Sequence, residues 1–275
     1  MMLKDKVAVV TGAGRGIGEA ISLAFAREGA DLGLVSRTSS ELMKTAAKIE
    51  TIGRRAVAIR GDVSKKDDVN KIVGKVVEEF GRVDILVNNA AILGPIGLMV
   101  DNDPEYWIET IKTNLVGTFL CCKTVLPSMM KQRKGKIINL SGGGAANPRP
   151  RFSAYSASKA AVVRLTETLA HEVKEYNIQV NALAPGAVNT RLLEEALSRG
   201  HESTAALAEK KRDTKGVDSD VPAALAVFLA SDRSDALTGR LISAVRDDWR
   251  TIAELIPNIM CTDAYTLRRI DPMKK

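Results

Sequence analysis

A tyrosine and a lysine in the second half of the sequence have the spacing of a proton-transfer pair. They are Tyr155 and Lys159, near the start of a helix predicted from about 153 to 176. Residues four positions apart in a helix lie on one face, so the ammonium can act on the phenol. A nearby positive charge favours the phenolate and lowers the phenol pKa from its usual value of about 10, which would let the tyrosine exchange a proton.

This spacing is weakly specific by itself, because chance gives it about 0.3 times in a chain of this composition. Ser141 supports it, since this residue follows a strand predicted over 136–140. In doubly wound α/β sheets, ligands bind beyond the carboxyl ends of the strands. Ser141 is therefore a candidate to contact the same substrate, although taken alone it could equally be a turn hydroxyl.

A glycine-rich turn follows the first predicted strand and opens a helix. It spans 11–18 with the spacing T-G-x-x-x-G-x-G, whereas the strict G-x-G-x-x-G spacing fails because Ile17 stands at its last position. Glycines allow the backbone to approach a pyrophosphate, which free N–H groups and the helix dipole then bind. A tight connection without a ligand is the alternative, and a P-loop is disfavoured because the Gly-Lys-Ser/Thr ending is absent.

Two arginines indicate which dinucleotide the turn would bind. An NAD enzyme carries an acidic residue for the ribose 2′-OH about 20 residues on, at the end of the second strand. This sequence has Arg37 there, and Arg15 lies inside the glycine turn. Guanidinium groups match phosphate oxygens, so both residues favour the 2′-phosphate of NADP. Solvated loop arginines are the other interpretation, and NAD remains the second cofactor.

The elements that must position these residues alternate between apolar strands and longer helical periods. Strands are located at 7–10, 31–36, 56–59, 83–87, 136–140 and 178–183, with seven expected in all, and helices at 17–28, 40–52, 65–80, 104–131 and 153–176. Strands this uniformly apolar belong in a parallel sheet covered on both faces. The prediction is an α/β fold of Rossmann type, doubly wound, with a seven-stranded parallel sheet and helices on both faces.

We predict a single dinucleotide-binding and catalytic domain over 1–245. A polar segment at 191–216 is interpreted as a substrate lid, and 246–275 as an atypical C-terminal tail that adds no further strand and helix to the sheet. With 45% hydrophobic and 27% charged residues, the 275-residue chain resembles an ordinary globular protein.

Other classes of protein receive little support from the sequence. The formal charge of +7 comes without a basic stripe interleaved with aromatic residues, so no nucleic-acid partner is expected. The 3 cysteines form neither a disulfide framework nor a zinc spacing, so no metal is expected. No apolar run reaches the roughly 18 residues of a membrane span and no signal sequence is visible, so we expect a cytoplasmic protein without a membrane partner.

These motifs together resemble the short-chain dehydrogenase/reductase family. The glycine turn, 88–90, Asn114, Ser141 and the Tyr155/Lys159 pair occur in the family's order, and the resemblance runs from about 6 to 243. It is similar in particular to NADP-preferring members such as the 3-oxoacyl-[acyl-carrier-protein] reductases and related alcohol and sugar dehydrogenases.

The resemblance implies a role for each matching residue. Tyr155 would be the general acid/base, Lys159 would lower its pKa and hold the ribose hydroxyls, and Ser141 would position the substrate oxygen. Asn114 would hold a water in the proton relay. Asp62 and Val63 would hold the adenine ring, Asn88 would support the central sheet, and 185–190 would clasp the nicotinamide. The implied cofactor-binding residues are Gly12, Gly14, Arg15, Gly16, Ile17, Gly18, Ser36, Arg37, Thr38, Asp62, Val63, Asn89, Ala90, Tyr155, Lys159, Pro185, Gly186, Val188 and Thr190.

Two departures from the family pattern stand out. Ala91 replaces the glycine of N-N-A-G, and the usual V-D-G-G ending after Ser243 is absent. We expect Trp249 to anchor the tail over the pocket or against a neighbouring subunit. Small residues on the helix that carries Tyr155, through which family members usually pair, indicate a homodimer or homotetramer.

The predicted activity is NADP(H)-dependent transfer of a hydride between a nicotinamide and a carbonyl or secondary alcohol. β-Ketoacyl thioesters, sugars and small hydroxy compounds are all open as substrates. The first alternative is an NAD-dependent sugar or hydroxy-compound dehydrogenase. The remote alternative is a regulator that senses a nucleotide without catalysis, which would be expected to have lost Tyr155 or Lys159.

Overall fold

Short apolar runs form one parallel sheet in the computed structural model, which describes residues 1–188, 190, 194 and 217–269. The strands are β1 (Val7–Thr11), β2 (Asp31–Ser36), β3 (Ala56–Arg60), β4 (Ile85–Asn88), β5 (Gly135–Leu140), β6 (Ile178–Ala184) and β7 (Leu241–Ser243). Their order across the sheet is β3-β2-β1-β4-β5-β6-β7, and every neighbouring pair is parallel. The order reverses between β1 and β4, where doubly wound sheets open a crevice for a ligand.

Amphipathic helices cover both faces of this sheet. The helices of the described residues are α1 (Gly16–Arg27), α2 (Ser39–Thr51), α3 (Lys66–Phe80), α4 (Pro104–Ile111), α5 (Gly117–Gln132), α6 (Ser153–Glu172), α7 (Asp220–Ala230) and α8 (Ile252–Met260). Apolar residues of α1, α2 and α7 form one buried cluster, and those of α3, α5 and α6 form another. The predicted seven-stranded Rossmann-type fold is confirmed.

The single helix predicted at 104–131 is interrupted in the structure. Asp103 caps its start, where the carboxylate accepts a hydrogen bond from the Tyr106 N–H at 2.7 Å. A π-helical turn over Lys112–Val116 then separates α4 from α5. Such turns change the direction of side chains within a helix and are frequent at functional sites. This one contains Asn114, and the helical periodicity did not reveal it.

The C-terminal tail packs on the body of the chain. Trp249 is buried with its ring centroid 6.1 Å from that of Phe228 on α7, and Ile252 and Ile256 of α8 join the same cluster. Trp249 lies against α7 of its own chain and not in the lining of the active-site cleft, which corrects its expected place over the pocket. Contact of the tail with a neighbouring subunit stays a prediction. The tail also contributes a helix, α8, because its apolar residues recur on one face.

The lid predicted at 191–216 lies outside the described residues, apart from Glu194. Within the parts of the chain that are described, no helix combines the length and hydropathy of a membrane span. The same parts contain no group of His, Cys, Asp or Glu side chains that could hold a metal ion.

Candidate active site

A cleft of about 430 Å³ lies at the carboxyl ends of the parallel strands. It runs from the glycine turn after β1 to the start of α6. Most of the predicted cofactor and catalytic residues line it: Gly12, Gly14, Arg15, Gly16, Ile17, Ser36, Arg37, Thr38, Asp62, Val63, Asn89, Ala90, Ser141, Tyr155, Lys159, Pro185 and Thr190. Residues from seven separate chain segments therefore meet in one cavity, as expected at the crevice of such a sheet.

Four predicted residues are not among those that line the cleft: Asn114, Gly18, Gly186 and Val188. Gly18 stands where an added Cβ would meet the carbonyl oxygen of Gly12 at 2.2 Å. A Cβ on Gly186 would lie 3.0 Å from the side chain of Val245, and Val188 is buried in a bridge with Val217. Gly18 and Val188 therefore contribute by packing.

Tyr155 and Lys159 occupy the first turns of α6 and are both buried, with 7% and 3% of their surfaces exposed. The Lys159 ammonium donates a hydrogen bond to the carbonyl oxygen of Leu140 at 2.7 Å and lies 5.7 Å from the centre of the Tyr155 ring. The predicted pairing on one helix face is thus present, and β5 anchors the lysine through its last carbonyl.

Burial shifts the pKa of both groups toward their neutral forms. Desolvation raises the pKa of Tyr155, and the positive charge of Arg149, whose guanidinium lies 5.9 Å from the ring centre, opposes that rise. Desolvation also lowers the pKa of Lys159 to about 8. Burial thus has the larger effect on the Tyr155 pKa, and Arg149 is a cation that opposes it. That Lys159 also lowers the phenol pKa stays a prediction.

Ser141 presents a hydroxyl that needs a partner. The residue is 3% exposed, and its Oγ has no hydrogen-bond partner among the described residues. The next residue, Gly142, is so close to the phenol that an added Cβ would lie 2.6 Å from the Tyr155 Oη. Since buried hydroxyls are normally paired, a ligand oxygen between Ser141 and Tyr155 would satisfy this group.

The side-chain oxygen and nitrogen of Asn114 both form hydrogen bonds within the protein. Its Oδ1 accepts from the Ile92 N–H at 2.9 Å, and its Nδ2 donates to the Ile92 carbonyl at 2.9 Å and to Ser158 Oγ at 3.0 Å. Ser158 Oγ in turn donates to the Tyr155 carbonyl at 2.7 Å. The π turn thus ties the loop after β4 to the backbone of the tyrosine. Whether Asn114 also holds a water stays a prediction.

The glycine turn has the shape that a close backbone approach requires. Gly12 and Gly16 have φ values of +66° and +57°, a region that L side chains rarely adopt. Asn89 Nδ2 donates to the carbonyls of Thr11 and Gly12 at 2.9 and 3.2 Å. The segment after β4 therefore clamps the turn, and a dinucleotide pyrophosphate fits the open backbone there.

Opposite charges surround the outer end of the cleft. Burial would raise the pKa of Asp62, yet hydrogen bonds from Ser64 and the positive charges of Arg37 and Lys65 hold that pKa below its usual value. Sequence reasoning missed Glu41, which also lines this end. Only knowledge that the first turn of α2 packs against the glycine turn would have revealed it.

Asn88 links neighbouring strands beneath the cleft. Its Nδ2 donates to Asn139 Oδ1 at 2.9 Å and to Cys122 Sγ at 3.3 Å. This agrees with the predicted support of the central sheet. Cys121 and Cys122 are buried, and burial raises the pKa of the Cys121 thiol to about 12, so both cysteines act as apolar packing residues.

Known proteins are similar to this chain in sequence and fold. The family described as short chain dehydrogenase matches residues 6–200. The 3-oxoacyl-[acyl-carrier-protein] reductase FabG of Thermotoga maritima is 37% identical over 242 residues, which cover 88% of this chain and 97% of the relative. NAD+-bound xylitol dehydrogenase superposes with a TM-score of 0.83 at 30% identity, covering 88% of this chain and 98% of that structure. Levodione reductase has a TM-score of 0.83 at 29% identity, covering 91% and 99%.

Proposed function

The chain belongs to the short-chain dehydrogenase/reductase family, and from this premise we propose that it is an NADP(H)-dependent oxidoreductase with Tyr155 as its general acid/base. The reaction would interconvert a carbonyl compound and a secondary alcohol. The observation that carries the proposal is the meeting of a buried tyrosine, a buried lysine and an unpaired buried serine hydroxyl at one end of a dinucleotide-sized cleft.

Each side chain has a distinct task in this mechanism. A bound nicotinamide would supply or accept the hydride. Ser141 Oγ donates a hydrogen bond to the substrate oxygen and orients it, and the Tyr155 hydroxyl passes its proton to that oxygen during reduction. In the reverse direction the phenolate removes the alcohol proton. Lys159, held by the Leu140 carbonyl, keeps a positive charge beside the phenol and stabilises the phenolate.

The cofactor assignment rests on Arg37 and Arg15, which line the adenosine end of the cleft. We place NADP first because guanidinium groups suit a 2′-phosphate, and the relatives named 3-oxoacyl-[acyl-carrier-protein] reductase make acyl thioesters the first substrates to try. The name of NAD+-bound xylitol dehydrogenase keeps an NAD-dependent sugar dehydrogenase as the second candidate.

The proton-transfer assignment is tested with Tyr155→Phe. NADPH oxidation would first be followed with a panel of ketones, aldoses and β-ketoacyl thioesters to find a substrate. The variant should then lose 10²-fold or more in kcat, roughly the contribution of a general acid, while still binding NADPH. Tyr176→Phe removes a phenol outside the cleft and serves as the matched control. Turnover near the original rate in Tyr155→Phe would refute the assignment.

We further propose that the protein acts in the cytoplasm as a homodimer or homotetramer. Ala157 on α6 is exposed, and Val116 at the end of the π-helical turn and Phe119 on α5 have 37% and 45% of their surfaces exposed. Apolar groups on helices near the active site suit a subunit interface. Light scattering coupled to size-exclusion chromatography should give two or four times the 29.6 kDa chain mass, and a monomer would contradict the proposal.

A further inference from the structure

A carboxylate faces the arginine that was expected to hold the 2′-phosphate. Arg15 Nη1 and Glu41 Oε1 are 3.1 Å apart, and both residues line the cleft. Their side chains are 53% and 30% exposed, so the pair lies at the cleft mouth in contact with solvent. The sequence lacks an acidic residue at the end of β2, and the structure supplies one from the first turn of α2 instead.

The packing of α2 fixes where this carboxylate lies. The Thr45 hydroxyl donates to the Ala13 carbonyl at 3.2 Å and to the Glu41 carbonyl at 3.3 Å, which joins the helix to the glycine turn. An added Cβ on Gly14 would lie 2.8 Å from the Glu41 Cβ, 3.3 Å from its Oε2 and 3.4 Å from Ser36 Oγ. Glu41 therefore packs directly on the turn, beside the hydroxyl at the end of β2.

Other charged residues line the same end of the cleft as Glu41. Arg37 lies close enough to Asp62 to lower its pKa, and Arg60 Nε donates to the Arg37 carbonyl at 3.2 Å. A carboxylate between the glycine turn and Ser36 at the end of β2 would accept a hydrogen bond from a ribose 2′-hydroxyl and repel a 2′-phosphate. It also competes with that phosphate for the same guanidinium, because Arg15 is already paired.

We propose that Glu41 determines how strongly this chain discriminates between NADPH and NADH, by occupying Arg15 and placing a negative charge where the 2′-phosphate would bind. The inference rests on the proposed function, since it assumes that the cleft holds these nucleotides. It assigns Glu41 as a specificity-determining residue that weakens the preference for NADPH and retains useful affinity for NADH.

The test measures the affinities of Glu41→Gln and of the parent chain for NADPH and for NADH. Binding is monitored by the fluorescence of the reduced nicotinamide. The variant should raise the NADPH-over-NADH affinity ratio by about fivefold, the effect of removing one interacting charge at an exposed site. Competition experiments with 2′,5′-ADP and 5′-AMP should show the same rise in preference for the 2′-phosphorylated nucleotide. These two competitors lack the nicotinamide, so they report on the adenosine end of the cleft alone. A ratio that is unchanged, or that moves toward NADH, would overturn the inference.

Glu19→Gln is the matched control. Glu19 and Lys48 form an ion pair at 2.7 Å between α1 and α2, with side chains 24% and 59% exposed, and neither lines the cleft. The control makes the same change in charge as Glu41→Gln. It also removes an ion pair to α2, in this case from α1, the helix that follows the glycine turn. It should leave the affinity ratio unchanged, and an equal shift in both variants would show that net charge alone is responsible.

A second variant, Arg15→Gln, separates two effects of Glu41: its ion pair with Arg15 and its direct repulsion of the 2′-phosphate. In Arg15→Gln, the added Glu41→Gln substitution should shift the ratio less than it does in the parent chain. An undiminished shift would overturn the part of the inference that works through Arg15. If the parent chain bound neither nucleotide, the proposed function would fail, whereas binding of both with no effect of Glu41→Gln would defeat only this inference.

Discussion

At the scale of single residues, the reacting end of the cleft combines groups that are costly to bury. Lys159 is 3% exposed, and its pKa is lowered to about 8 by desolvation. Below that pH the protein keeps a buried ammonium whose direct hydrogen bond is to a neutral carbonyl. The arrangement suits a tyrosine that must form a phenolate, and it should reduce the stability of the fold.

Lys159→Met is therefore expected to stabilise the protein at pH 7 by roughly 2 kcal/mol. Burial lowers the pKa from 10.5 to about 8, which corresponds to roughly 3 kcal/mol, and the lost hydrogen bond offsets about 1 kcal/mol. The unfolded chain binds more protons between these pH values, so parental stability rises with pH there and the difference shrinks. Urea denaturation at pH 7 and pH 10 would measure it, with exposed Lys123→Met as the control. A difference independent of pH would contradict this account.

Arg149→Ala should move the pH dependence of catalysis. Because Arg149 opposes the burial-driven rise in the Tyr155 pKa, its removal should raise that pKa further. Alcohol oxidation needs the phenolate, so its rate should require higher pH in the variant, whereas carbonyl reduction should persist to higher pH. The pH profiles of kcat/KM in both directions would show the shift, with Arg151→Ala as the control. Superimposable profiles for the variant and the parent would argue against it.

At the scale of elements, the first strand-turn-helix unit depends on one close contact. Gly18, in the first turn of α1, lies against the backbone of Gly12, and Asn89 from the segment after β4 donates a hydrogen bond to the same glycine turn. A side chain at 18 would separate the helix from the strand that it must follow. The spacing of the turn is therefore a requirement of packing as well as of ligand binding.

Gly18→Ala is expected to destabilise the protein by about 3 kcal/mol or more and to weaken NADPH binding. Its Cβ would meet the Gly12 carbonyl oxygen at 2.2 Å, a backbone contact that cannot yield easily. Gly74→Ala in α3 is the control, because its Cβ would meet nothing within 4 Å and should stabilise the helix by about 0.5–1 kcal/mol. Denaturant unfolding and nucleotide titration would test both, and similar effects in the two variants would refute the explanation.

At the scale of the whole molecule, the C-terminal tail extends the core on the face of the sheet covered by α1 and α7. Trp249 and the apolar side of α8 join the cluster that begins at Leu3. Farther along, the Leu241 N–H donates to the Tyr265 carbonyl at 2.7 Å, and the Leu267 N–H donates to Glu167 on α6 at 2.7 Å. The tail thus joins the edge of the sheet to the helix that carries Tyr155.

Trp249→Ala should lower the free energy of unfolding by about 3–5 kcal/mol, the usual effect of truncating a buried aromatic residue. Nucleotide affinity should stay unchanged, because Trp249 lies outside the cleft. Leu255→Ala, at a position of α8 that is 45% exposed, should change stability by less than about 0.5 kcal/mol. Denaturant unfolding would show the contrast, and an effect of Trp249→Ala on NADPH binding alone would contradict the assigned packing.

Local patterns were enough to predict the sheet, the glycine turn and the Tyr155/Lys159 pair, because strand apolarity and helical spacing depend on residues close in sequence. The tertiary structure decided how deeply those side chains are buried and which charged groups lie beside them. Burial raised the Tyr155 pKa, Arg149 became the opposing cation, and Glu41 met Arg15 across 26 positions. Desolvation and charge proximity arise only when distant segments pack together, so neither can be read from spacing along the chain.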